Sequence, residues 1–258
     1  MTETNPLVQT TILESGAIWR VTFGASKGNV LDAALVAELT ALFRKAALDR
    51  HLKAIVLEGQ GRHFSFGASV EEHLPEQVSG MLHGFHNLFR AIFDASVVTI
   101  AVVRGACLGG GLELASACHR IYAMPGANLG QPEISLGVFA PVASILLPER
   151  VGRAHAEDLL LSGRTLEGEA ALRIGLVDGL AEDPMAEALE YVRDRLLAHS
   201  ASSLRFAVRA AREGLIDRFN QEVARLEHQY LDTLMKTKDA NEGLHAFLEK
   251  RKPIWSNS

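Results

Sequence analysis

The chain has 258 residues, 48% hydrophobic and 22% charged, enough to bury a substantial core in one large domain or in one domain with a helical appendage. A net charge of −5 and only 6% aromatics argue against nucleic-acid binding by charge, and no apolar run approaches the roughly 18–20 residues of a membrane span. Cys107 and Cys118 are too few for a disulfide scaffold, and the segment Met1 to Pro6 lacks the basic and apolar regions of a signal peptide; both point to a reduced, cytoplasmic setting.

Residues 8–24 alternate as two strands around Glu14-Ser15-Gly16. Asp32 is placed to cap a helix running through Leu35, Leu39, Leu42 and Phe43. Residues 53–59 form a short apolar strand ended by Gly59, and a loop from Arg62 to Val70 follows. An amphipathic helix is expected over 76–93, with Met81, Leu82, Phe85, Leu88, Phe89 and Ile92 on one face. The β-branched run 97–103 reads as a buried strand, 112–118 as a helix and 120–124 as another strand. Strands and helices alternate to about residue 185, so the fold class is α/β with mostly parallel pairing. Asp183-Pro184 marks a boundary: residues 1–185 form the core, and residues 186–258 a helical C-terminal region with helices at 185–198, 201–213, 217–237 and 239–250.

The chemistry centres on Gly109-Gly110-Gly111-Leu112-Glu113, which joins the 97–103 strand to the next helix. Strand, glycine turn and helix in that order present bare N–H groups able to hold a negative oxygen. Close strand-to-helix packing is the other reading of the glycines. The G-x-G-x-x-G spacing of dinucleotide sites and the Lys-Ser/Thr of a P-loop are both missing. Glu113 falls in the first helical turn, where a carboxylate also gains about 0.3–1 kcal/mol from the helix dipole with no catalytic role. Glu133, in Gly130-Gln131-Pro132-Glu133-Ile134, sits between apolar segments; burial there would raise its pKa into the range of a general acid, and an exposed loop would not. An anion hole beside two carboxylates suits a carbonyl reaction that passes through an enolate.

Other groups are weaker candidates. Cys107 beside the glycines has no evident base and reads as a small buried residue. Ser69 lacks the G-x-S-x-G elbow of a nucleophile. His63, His73, His83 and His86 invite a metal site, but no His-Glu-x-x-His or Cys-x-x-Cys pattern supports one, so none is expected.

Together the segments Lys27-Gly28-Asn29-Val30, Phe66-Gly67-Ala68, Gly109-Gly110-Gly111-Leu112-Glu113-Leu114-Ala115, Gly130-Gln131-Pro132-Glu133-Ile134 and the terminal Ala246 to Pro253 resemble the crotonase superfamily, the enoyl-CoA hydratase and isomerase family. The resemblance covers essentially the whole chain. It implies a crotonase-like spiral of ββα units with a helical C-terminal trimerisation region, assembled as a homotrimer or homohexamer. It implies an oxyanion hole from the N–H groups of Ala68 and Gly110, and two glutamates, Glu113 and Glu133, around one water. CoA, carried in as part of an acyl-CoA substrate and not as a cofactor, would pass Lys27, Gly67, Ala68, Ser69 and Val70, with Lys250 near its phosphate.

Two departures stand out. Ser69 occupies a position that is usually Asp in straight-chain enoyl-CoA hydratases, and Leu136 to Ser144 lacks their Gly-rich stretch. Val138, Phe139 and Val142 should then give a stiffer acyl pocket. With His63 to Val70 and Ser200 to Arg212, this pattern is similar to the cyclohexa-1,5-diene-1-carbonyl-CoA hydratases of anaerobic benzoyl-CoA degradation. That implies hydration of a cyclic dienoyl thioester. The alternatives are a straight-chain enoyl-CoA hydratase or isomerase and, from another class, a non-catalytic scaffold or RNA-binding protein. Retention of both glutamates speaks against the scaffold, and the acidic charge against RNA.

Overall fold

The computed structural model describes residues 6–24 and 28–258. The alternating first segment folds as β1 (Val8–Leu13) and β2 (Ile18–Phe23), paired antiparallel. Asp32 accepts the Leu35 N–H at 2.9 Å and starts α1 (Ala33–Leu48). Then come β3 (Ala54–Gly59), α2 (Val78–Ala95), β4 (Val98–Val103), β5 (Ala106–Leu108), α3 (Gly110–Ala117), β6 (Arg120–Ala123) and β7 (Asn128–Gly130). The chain continues through α4 (Pro141–Ser162), β8 (Thr165–Glu167), α5 (Gly168–Arg173), β9 (Gly179–Leu180), α6 (Pro184–Arg195), α7 (Ala201–Asp232) and α8 (Lys238–Leu248).

The larger sheet has the order β1-β2-β3-β4-β6-β9 and is parallel from β2 onward; β5, β7 and β8 form a smaller one. Every residue of β3 and β4 is buried. Strand periodicity divides them between two faces. Ile55, Leu57, Ala101 and Val103 join the main core with α1 and α2, whereas Ala54, Val56, Ile100 and Val102 pack under Met185, Ala188 and Val192 of α6. Helices on both faces explain why these strands are continuous apolar runs. Strand, second-sheet strand and helix succeed one another at β4-β5-α3, which is the ββα unit of the spiral.

Several boundaries differ from the sequence expectation. The helix expected over 112–118 begins at Gly110, and β5 is too short to carry a periodic signal. The helix α4 is interrupted at Gly152 (φ 73°, ψ 160°) and contains Pro148, two residues that hide a helix from sequence reading. The helices expected at 201–213 and 217–237 are largely one, α7. Gly214 costs that helix about 1 kcal/mol relative to alanine. Packing overrides the cost, because Phe219, Val223 and Leu226 anchor α7 in the main core. Asp183 accepts the N–H groups of Met185 (3.2 Å) and Ala186 (3.4 Å), so the expected boundary is the cap of α6.

Candidate active site

The turn from β5 into α3 needs glycine for contact with its neighbours. Gly109 has φ +52°, and a Cβ there would stand 2.6 Å from Glu133 Oε1. A Cβ on Gly110 would stand 3.0 Å from the Ala68 nitrogen and 3.1 Å from Phe85. The loop after β3 and the start of α3 therefore pass against each other with no side chain between them. Ser65 holds them: its carbonyl accepts the Leu108 N–H at 3.0 Å and its hydroxyl accepts the Gly67 N–H at 3.0 Å. Among the described residues no acceptor takes the N–H of Ala68 or of Gly110. Two neighbouring unspent donors are what a developing oxyanion requires.

Glu113, in the first turn of α3, is 5% exposed. The helix α4 starts at Ala140-Pro141 with no side-chain cap of its own. Glu113 Oε1 supplies one from outside, accepting the Ala143 N–H at 2.7 Å. A carboxylate thus meets the positive end of a second helix. Burial pushes the Glu113 pKa up, opposed by the N–H groups of Ala143 and Val142. Glu133 lies in a 3-10 turn, Pro132–Leu136. Its Oε1 accepts from Gln131 Nε2 at 3.3 Å, and its buried Oε2 has no partner among the described residues. Burial, and then the charge of Glu113, drives the Glu133 pKa higher still. Two interacting carboxyls with unequal rises leave one ionised while the other keeps its proton.

Both carboxyls, Gly67, Ala68 and Gly110 line one cavity of about 500 Å³. Val70, Val138 and Phe139 also line it. Val142 does not; its side chain is fully buried in the main core beneath, and only its N–H faces Glu113. Ser69 stays off the wall, its hydroxyl donating to Glu71 Oε2 at 3.1 Å. Lys250 is exposed and outside the lining, while its neighbour Arg251 is part of it, held by Glu242 and Glu249. Lys27 lies outside the described residues. Phe85, His73 and Tyr230 line the cavity without having been singled out for it. The 3.6-residue stripe of α2 marks Phe85 as apolar but not as a wall, and no local pattern marks Tyr230.

The remaining candidates are occupied structurally. His63 Nδ1 accepts the Ala106 N–H at 3.0 Å, His73 Nδ1 donates to the Ser69 carbonyl at 2.7 Å, and His86 Nδ1 meets Glu227 at 2.6 Å. No group of three or more His, Cys, Asp or Glu side chains is arranged for a metal among the described residues. Cys107 and Cys118 are fully buried, and burial pushes both thiols up, Cys118 to about 11.

A sequence model described as enoyl-CoA hydratase/isomerase matches residues 14–258. The chain belongs to that family. It is 48% identical over the full length of both chains to a protein of Thauera aromatica named cyclohexa-1,5-dienecarbonyl-CoA hydratase. It is 34% identical to a probable enoyl-CoA hydratase of Bacillus subtilis, over 87% of this chain and 90% of that one. Among solved structures, an enoyl-CoA hydratase from Mycobacterium avium superposes with a TM-score of 0.87 at 27% identity, covering 98% of this chain and 100% of that one. The crotonase-type spiral with helical C-terminal region is therefore the fold.

Proposed function

We propose that the chain adds water to a cyclic, conjugated dienoyl-CoA thioester, cyclohexa-1,5-diene-1-carbonyl-CoA, as in anaerobic benzoyl-CoA degradation. The observation that carries the proposal is the convergence on one cavity of two carboxyls, Glu113 buried and Glu133 half-buried with a buried Oε2, and two unspent N–H donors. The acyl group is supported by the 48% identity to the Thauera hydratase, and by a 136–144 segment that lacks the Gly-rich stretch of straight-chain hydratases and puts Val138 and Phe139 in the wall.

In this reading Ala68 and Gly110 N–H hold the thioester oxygen as it gains enolate charge. Glu113 is the base: the two helix N–H groups favour its ionised form. It removes a proton from water as the water oxygen bonds to carbon. Glu133, whose carboxyl is driven furthest toward the protonated form, gives its proton to carbon. The product has gained one water, and one proton returns from Glu113 to Glu133 through solvent. No metal or redox cofactor takes part. Loop residues Gly67 to Val70, Lys27 and Lys250 serve CoA, and the enzyme works in the cytoplasm as a trimer or hexamer. Exposed Phe206, Leu161 and Trp255 support such an assembly.

The test compares turnover of cyclohexadienecarbonyl-CoA with that of crotonyl-CoA. The cyclic substrate should be strongly preferred; preference for crotonyl-CoA would make the chain a straight-chain hydratase. Glu113→Gln and Glu133→Gln should each abolish most hydration while thioester binding survives. Full activity in either variant would end the two-carboxylate mechanism.

A further inference from the structure

The wall of the cavity holds a buried hydroxyl that the proposed chemistry leaves unused. Tyr230, near the end of α7, is 1% exposed, and its hydroxyl has no hydrogen-bond partner among the described residues. Its ring is fixed by packing: Phe139 lies 5.3 Å away centroid to centroid, and Val138, Leu82 and Leu244 complete the cluster. An unpartnered buried hydroxyl costs about 1–3 kcal/mol, so its persistence calls for a polar occupant of the cavity. Glu133 Oε2, on the same wall, is likewise buried and unpartnered. The two oxygens are not within hydrogen-bond reach of each other, and both are left to a third polar atom. Burial and the charges of Glu133 and Glu113 raise the phenol pKa, which keeps the hydroxyl protonated. It can therefore donate to an oxygen that carries no positive charge.

The thioester oxygen is not that atom in the proposed mechanism, since Ala68 and Gly110 serve it. The other oxygen in the reaction is the one that water brings to the acyl group. We propose that Tyr230 is a substrate-binding residue that donates a hydrogen bond to this oxygen, as water when it attacks and as the hydroxyl of the product. This rests on the hydratase reading above. The dienoyl substrate has no such oxygen, and the hydroxyacyl product has one. Tyr230 therefore favours hydroxylated acyl groups and the transition state leading to them, and is indifferent to the acyl group before hydration.

Tyr230→Phe keeps the ring and removes only the hydroxyl. One lost hydrogen bond should lower kcat/KM about tenfold, equivalent to about 1.4 kcal/mol. The fall must be equal for hydration and for dehydration of the hydroxyacyl-CoA, because the equilibrium constant is unchanged. In hydration it should appear in kcat, with KM for the dienoyl-CoA within about twofold. In dehydration it should appear as a raised KM. A purely structural tyrosine would shift the melting temperature and give no such split. As a measurement free of turnover, Glu113→Gln, which binds thioester without converting it, should bind the hydroxyacyl-CoA more tightly than cyclohexanecarbonyl-CoA, and adding Tyr230→Phe should lose about tenfold of that preference. If the wild type hydrates and the variant keeps its kinetics and its preference in binding, the assignment of Tyr230 falls and the hydratase reading stands. A wild type that hydrates no acyl-CoA overturns both.

Discussion

Replacing Glu133 by glutamine should stabilise the protein as it destroys the activity, and should do so only where the carboxyl would ionise in the unfolded chain. Burial and the neighbouring Glu113 push the Glu133 carboxyl from 4.5 to about 8. Below pH 4.5 it is protonated in both states and contributes nothing to the pH dependence of stability. Between pH 4.5 and pH 7 the unfolded carboxyl loses its proton while the folded one keeps it, so stability falls as pH rises. At about 1.36 kcal/mol per pH unit, the loss by pH 7 is at most about 3 kcal/mol. Glutamine cannot ionise and removes this loss. For a chain of this size the recovered stability corresponds to a rise in Tm of about 6–12 °C as a ceiling. The assay is scanning calorimetry of wild type and Glu133→Gln at pH 7 and pH 4.5, at one protein concentration and scan rate. Packing changes from the amide are common to both pH values, so the difference between them isolates the ionisation. A variant no more stable at pH 7, or equally stabilised at pH 4.5, would show that Glu133 does not carry a raised pKa and would remove the physical basis for its role as acid.

The rate of hydration against pH should be a bell whose acid limb, set by Glu113, lies well above the ordinary carboxylate range, since burial raises that group; a limb near pH 4 in steady-state kcat would contradict it. Gly110→Ala puts a Cβ 3.0 Å from the Ala68 nitrogen, and should cost about 10²–10³ in kcat with an unchanged circular dichroism spectrum. Glu227→Ala strands the fully buried His86, whose Nε2 is already unpartnered, and should destabilise the fold by about 1–3 kcal/mol in urea titrations. Cys107→Ser should leave turnover within about threefold, because the buried thiol stays protonated; a large loss would reinstate it as a participant.

The parts of the site that sequence reveals are those built from local chain geometry. Gly109 and Gly110 are legible because a turn with φ +52° and a contact at 3.0 Å exclude side chains, and such exclusion leaves glycine in the sequence. Asp32 is legible because a cap bond spans only three residues. Val142 looked equally legible and is not on the wall: helix periodicity in α4, invisible behind Pro148 and Gly152, turns its side chain inward and leaves only its N–H near Glu113. Spacing alone could place it beside Phe139 but could not say which way either side chain faces.

Tyr230 marks the deeper limit. Nothing near it in sequence signals a site, because the groups that give it meaning, Phe139 and the two carboxyls, are distant along the chain. The same holds for what makes Glu113 and Glu133 useful. Their motifs supply carboxylates on one wall. The burial that raises their pKa includes walls from the far end of the chain, where Tyr230 from α7 and Phe247 from α8 line the cavity. A carboxyl open to water would keep an ordinary pKa and would be a poor acid near neutrality. In the proposed mechanism the helical C-terminal region thus belongs to the acid–base chemistry, because the burial it contributes favours the protonated form of the second carboxyl. Of the two ends of the proposed mechanism, the glycine turn would position the oxyanion donors through backbone shape, and the late helices would set the protons through dielectric environment.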